Sequence, residues 1–255
     1  VNRHNRTMLD PQPTAARYRA IALLFAMIYP TCLTWIYFTA LKDSPGSWQQ
    51  TAFSIGKLIQ FGFPAFWIFV IERRQFSGHS FTTSGLGLAL ALGVFEIVAG
   101  LGLYFVVLKP AGIFAGPLQE MLLKLRGFGL DSFGAYIALG VGYSLVHSWM
   151  EEYYWRWFVF RELADKNFDN AKLPVRALVI SSLAFAAHHV VVLAGYFEWS
   201  SPWTYILSAI VAIGGGLFAW IYWSSRSLYA AWLAHAFADA AIFLIGYDLV
   251  KASLH

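Results

Sequence analysis

The sequence predicts an all-α fold: a polytopic transmembrane helical bundle of about seven spans, with an added helix at its outer interface. Three observations carry this. Of 255 residues, 58% are hydrophobic and 13% charged, about half the charge of an average soluble domain, which is about 25%. Seven segments reach the length of about 20 mostly apolar residues that a spanning helix requires. Aromatic residues make up 18% of the chain. This composition excludes an ordinary soluble enzyme, a disordered chain and a disulfide scaffold, since Cys32 is the single cysteine.

The elements follow in order. Residues 1–19, with Pro11 and Pro13, read as a cytoplasmic tail. The spans are Ala20 to Leu41, Thr51 to Ile71, Gly85 to Leu108, Ser132 to about Phe160, Ala177 to Phe197, Pro202 to Trp223 and Leu228 to Tyr247. The first is too long for a signal peptide, holds Pro30 at its middle and lacks a small-residue cleavage pattern. The fourth continues past Glu151 and Glu152 through aromatic residues and reads as one helix with charges inside it. Between the third and fourth, Leu118, Met121, Leu122 and Leu125 fall at i, i+3, i+4 and i+7. That amphipathic helix suits either the outer interface or the side of the bundle. The organisation expected is a tail, accessory helices over 20–131, and a catalytic bundle over 132–255.

Lysine and arginine set the orientation. With the N-terminus inside, the inner segments hold Arg3, Arg6, Arg17, Arg19, Arg73, Arg74, Arg161, Lys166, Lys172, Arg176 and Arg226. The outer ones hold Lys42, Lys109, Lys124, Arg126 and Lys251. The expected location is the cell (inner) membrane, N-terminus cytoplasmic and C-terminus outside. Asn5-Arg6-Thr7 is then a glycosylation sequon only in spelling. The formal charge of +4 is spread along the chain and gives no basic patch for nucleic acid.

An ionisable side chain at mid-membrane costs about 2.5–3.5 kcal/mol on insertion scales, so each is a functional candidate. The spans contain Lys57, Glu96, Glu151, Glu152, Arg156 and Asp239, with His147, His188, His189 and His235. At about 1.5 Å per residue, Glu151, Glu152, His189, His235 and Asp239 fall at depths of roughly 10–18 Å from the inner ends. Three helices thus bring acids and imidazoles to one slab, the groups that acid–base activation of water requires. Glu152 and Arg156 are i, i+4 with the acid first, the favourable order for an ion pair. Glu151 points about a quarter-turn away and need not share that arginine. His235 and Asp239 are also i, i+4 and face one way.

At these residues the sequence resembles the CPBP intramembrane proteases, the group that includes type II CAAX prenyl endopeptidases and bacteriocin-processing or immunity (Abi-like) proteins. The three motifs on separate helices are Glu151-Glu152-Tyr-Tyr-Trp-Arg156, Phe185-Ala-Ala-His188-His189 and His235-Ala-Phe-Ala-Asp239. They cover about Ser132 to Tyr247, and the first three spans lie outside the resemblance. By that resemblance Glu151 activates the attacking water, His189 helps hold it, and His235 with Asp239 sits where the oxyanion is stabilised. Glu152, Arg156 and Phe185 support the site. Asp239 stands where asparagine is usual. A carboxylate there must be protonated, orient His235 or bind a metal, because an ionised one repels an oxyanion. Glu151, His189, His235 and Asp239 are also a donor set that zinc accepts, although the resemblance implies a metal-free glutamate mechanism and no cofactor.

Other residues have plainer readings. His188, about 100° around the helix from His189, suits packing or a hydrogen bond, and His147 suits support of Glu151. Lys57 and Glu96 suit a mutual pair, or a snorkelling lysine. Gly214-Gly215-Gly216 permits close helix contact. No HExxH or GxSG motif is present, and no lysine lies in the last span. The expected function is an intramembrane endopeptidase acting on a membrane-embedded or membrane-anchored peptide. The alternatives are a non-catalytic immunity or scaffold protein and a zinc-dependent form of the protease.

Overall fold

Where apolar runs meet serine, proline or glycine, the chain caps and reverses, and the result is a set of antiparallel helices. The structure is a computed structural model that describes residues 13–75 and 80–255. Among the described residues all regular structure is helical. Helix α1 spans Pro13–Trp35 and continues as a π-helical turn, Ile36–Ala40. Helix α2 spans Gly46–Ala65 with a π-helical end, Phe66–Ile71. Helix α3 spans Leu86–Leu103, continued by Tyr104–Leu108. Helix α4 is Ala115–Gly127. Helix α5 runs without a break over residues 133–164, with π-helical stretches Tyr143–His147 and Tyr153–Phe160 on either side of Ser148–Glu152. Helices α6 (Val175–Phe197), α7 (Pro202–Ser225) and α8 (Leu228–Val250) complete the bundle.

Among the described residues six helices are long and apolar enough to cross a membrane: Arg17–Ala40, Gly46–Ile71, Leu86–Leu108, Val175–Phe197, Pro202–Ser225 and Leu228–Ser253. The helix expected as the fourth span, α5, forms and is longer, but it carries the site's charges and is not among these six. Six of the seven expected spans are thus found, with small shifts at their ends. The largest shift is at the start, where helix begins at Pro13 rather than Ala20. The rest of the expected tail, including Asn5-Arg6-Thr7, lies outside the described residues. Many large apolar side chains face outward, among them Leu58 (75% exposed), Val106 (75%) and Ile213 (73%). Such a surface suits lipid and would aggregate in water.

The caps are local and readable. Ser132, Ser201 and Ser227 each accept a backbone N–H at the start of α5, α7 and α8, and Pro202 occupies the first turn of α7, where a missing N–H costs nothing. Arg226 ends α7 in the left-handed conformation (φ 59°), and its guanidinium bonds the carbonyls of Phe168 and Asn170. Gly85 enters α3 at φ 77°, and a Cβ there would lie 2.5 Å from that of Ser225, so this close reversal needs glycine.

Two ion networks mark the two ends of the bundle. At one, Glu162 at the end of α5 binds Arg19 of α1 (2.5 Å) and Arg74 after α2 (2.7 Å). At the other, Asp248 of α8 accepts Tyr104 (2.8 Å), Lys109 and Lys251 (2.8 Å). Helix α4 sits at this second end. Its Leu118, Met121, Leu122 and Leu125 pack with Tyr136 of α5 and Val250 of α8, so the amphipathic stripe is covered by the bundle. Inside, α6 packs along α7, α3 along α8, and α1 along α6.

Candidate active site

The site forms where α5, α6 and α8 meet, and its members come from short windows on each. On α5, Ser148–Glu152 is a single α-helical turn between two π-helical stretches. A π turn widens the helix and shifts the side chains beyond it around the axis, and such turns are frequent at functional sites. Glu151 and Glu152 are both buried (1% and 0% exposed).

Glu151 is ringed by imidazoles. Its Oε1 lies 3.5 Å from His188 Nε2 and 3.7 Å from His147 Nε2, and its Oε2 lies 3.9 Å from His235 Nε2. Helices α5, α6 and α8 each supply one of these rings. His188 stacks on Trp155 (5.8 Å between centroids, 2° between planes). His235 is held between Phe218, stacked at 4.7 Å, and Phe185, edge-on at 5.9 Å. His147 lies against the Tyr143 ring at 4.5 Å.

Glu152 does different work. Its Oε1 faces His235 Nδ1 at 2.8 Å and Arg156 Nη1 at 3.0 Å. Arg156 also donates from Nη2 to the Gly215 carbonyl (3.1 Å) and lies over the rings of Phe185 (4.6 Å) and Phe218 (5.2 Å). The buried guanidinium is therefore compensated by a carboxylate, a carbonyl and two ring faces. This leaves Glu151 outside the arginine's ion pair, as the i, i+4 spacing implies. Asp239 places Oδ1 3.6 Å from His235 Nε2, and its buried Oδ2 has no hydrogen-bond partner among the described residues.

Glu151, Glu152, Arg156, Phe185, His188, His189, His235, Asp239 and His147 thus gather in one place. His189 is set apart from the others by its Nδ1, which faces the Phe185 carbonyl at 3.0 Å. Three details sharpen the plainer readings. His188, read as a packing or hydrogen-bonded histidine, is both: it stacks on Trp155 and its Nε2 faces Glu151 at 3.5 Å. Gly215, read as a helix contact alone, sits against the site: a Cβ would approach Phe185 Cδ1 at 2.9 Å and Arg156 Nη2 at 3.4 Å. Among the described residues no ion pair joins Lys57 to Glu96. Each instead acts electrostatically on the site, Lys57 on Glu151 and Glu96 on Glu152 and His235.

A metal is best tested on donor chemistry. Glu151, His188 and His189 each offer a ligand atom, all within 4.8 Å of one another. Two imidazoles and one carboxylate are a zinc donor set, and the contact of His189 Nδ1 with a carbonyl suits an imidazole that coordinates through Nε2. The residues fit zinc, although the grouping differs from the expected quartet: His188 enters it, and His235 and Asp239 do not.

These geometries meet the comparisons with known proteins at one segment. Residues 133–241 match the family described as type II CAAX prenyl endopeptidase Rce1-like, the stretch that holds all three motifs. No curated protein and no solved structure matches the chain. Residues 133–241, somewhat under half of the chain, are thus similar to the Rce1-like type II CAAX prenyl endopeptidases, and the match supports membership of the CPBP intramembrane protease family.

Proposed function

We propose that the protein is an intramembrane endopeptidase in which Glu151 activates a water molecule to hydrolyse a peptide bond of a membrane-embedded or membrane-anchored substrate. The observation that carries this is a buried carboxylate, free of the neighbouring arginine, faced by imidazoles from three helices at 3.5–3.9 Å. A water between Glu151 and the scissile carbonyl would give its proton to Glu151 as its oxygen bonds to the carbonyl carbon. Glu151 would then pass that proton to the leaving amine as the C–N bond breaks. His188 and His189 would hold the water. His235 donates Nδ1–H to Glu152 at 2.8 Å, and as an imidazolium it would also offer Nε2–H to the developing oxyanion. Glu152 and Arg156 would hold His235 in that orientation, and Asp239 would steer the same ring from its other nitrogen. Were zinc bound, Glu151, His188 and His189 would hold it, and it would supply Lewis-acid polarisation of the water.

The location proposed is the cell (inner) membrane, N-terminus cytoplasmic. The test is Glu151→Gln in proteoliposomes that carry a membrane-anchored peptide precursor. Loss of cleavage by at least about a hundredfold, the scale of a general base, is expected with the protein still folded. Unchanged cleavage would sink the reading and leave a non-catalytic scaffold. Phenanthroline added to the wild type separates the two hydrolytic forms: cleavage survives with glutamate alone, whereas inhibition reversed by zinc assigns the metal form.

A further inference from the structure

Lys57 is a half-buried cation in the middle of a span, and it has no acidic partner within ion-pair distance among the described residues. A charge at that depth is expensive unless it is used. Its Nζ rests between the rings of Phe53 (5.3 Å) and Phe61 (5.2 Å), one turn before and one turn after it on α2. Phe61 packs on Tyr154 of α5 at 6.2 Å, so this stripe of α2 faces the helix that carries Glu151. Lys57 acts electrostatically on Glu151, His147 and His188 together. A lysine that only snorkelled to the interface would face lipid, and one that only neutralised Glu151 would pair with it directly.

A cavity lies close to this sleeve of rings. At the α4 end lies a cavity of about 670 Å³ between α1, α2, α4 and α6, lined among others by Tyr37, Phe38, Gln50, Glu120, Lys124 and Glu198. That volume falls within the range of ligand pockets, roughly 300–1,000 Å³. Tyr37 of its wall touches Phe53 at 4.7 Å, and Phe53 is one face of the sleeve around Lys57. The cavity wall and the sleeve of rings around Lys57 thus meet at this contact.

We propose that Lys57 docks a carboxylate of the substrate, fixing which peptide bond reaches Glu151, while the cavity at the α4 end takes the polar remainder of the peptide. This rests on the hydrolytic reading above. A free C-terminus and an acidic side chain share the required chemistry, and the cation between two rings accepts either. Lys57 is on this view a positioning residue, so it acts on which peptides bind and through KM.

The test uses three pools of N-palmitoylated random octapeptides in liposomes: one with a free α-carboxylate, one amidated, and one amidated with a single glutamate. Retention is measured on the Glu151→Gln protein, which binds without turnover, and cleavage on the wild type. At least about tenfold preference for a carboxylate-bearing pool is expected, equivalent to about 1.4 kcal/mol. The preference falls to near parity with Lys57→Met and returns with Lys57→Arg, while kcat for peptides that still bind changes less than KM. Preference for the free-acid pool assigns the C-terminus, and preference for the glutamate pool assigns a side chain. Equal retention of all pools, no retention of any, or a preference that survives Lys57→Met overturns the proposal. A carboxylate preference without cleavage by the wild type would sink the hydrolytic reading and leave the docking site standing.

Discussion

Asp239 is the residue where the site departs most from the pattern of the family it resembles, and the geometry narrows its role. Its Oδ1 lies 3.6 Å from His235 Nε2, on the opposite edge of the ring from Glu152. An ionised carboxylate pointed at an oxyanion would raise the barrier, so the role that fits is to hold the imidazole. An amide does this equally well. Asp239→Asn is therefore expected to keep cleavage within about tenfold of wild type, about 1.4 kcal/mol, while Asp239→Ala loses substantially more. Equal loss in both, measured as kcat/KM on one precursor, would show that the carboxylate itself takes part. At this scale much of the site was legible, because i, i+4 spacing fixes which side chains share a helix face: Glu152 with Arg156, and His235 with Asp239. What spacing does not carry is the rotation of one helix against another. His188 faces Glu151 and His189 rests on Phe185, whereas the motif resemblance assigns the water to His189. Gly215 supports Arg156 from a helix that bears none of the motifs.

At the scale of elements, the spans were readable from length and apolarity, and their caps from serine and proline. The π-helical stretches of α5 were not, since no residue type encodes them. Helix α4 shows how periodicity reveals an amphipathic helix without naming the surface it covers. Its docking has a second contact: the Lys124 ammonium sits 4.0 Å from the Phe38 ring centroid on α1 and 4.1 Å from that of Tyr196 on α6. Burial pushes this lysine down to about 8 from 10.5, against the smaller opposing pull of Glu120. The folded protein thus sheds this proton at a lower pH than the unfolded chain. Between about pH 8 and 10.5 the unfolded state binds more protons, so this group's contribution to stability rises with pH across that window. Lys124→Met should remove that rise. Thermal unfolding in detergent, followed from neutral pH to about 10.5 in wild type and variant, checks it, and parallel curves would contradict it.

The whole molecule has two polar ends, and which one meets the cytoplasm decides how a substrate reaches the cavity. The end marked by Glu162 gathers Arg19, Arg74, Arg161 and Arg226. The α4 end has Lys42 and Lys124 at the cavity, and Lys109 and Lys251 on Asp248. Several of these cations are paired with acids, but acids contribute little to orientation, so pairing does not weaken the bias. The Glu162 end is therefore expected in the cytoplasm, and the cavity and C-terminus on the outer side. A substrate would then present its carboxylate to Lys57 from outside, and the same reaction run from a cytoplasmic precursor would need the opposite insertion. Single cysteines separate these cases. Lys42→Cys at the cavity and Asn170→Cys in the loop after α5 are both exposed positions, placed in a Cys32→Ser background because the native thiol is also exposed. A membrane-impermeant maleimide should label Lys42→Cys in intact cells and Asn170→Cys only after permeabilisation. The reverse pattern would put the cavity in the cytoplasm and show that the charge bias of this chain is overridden.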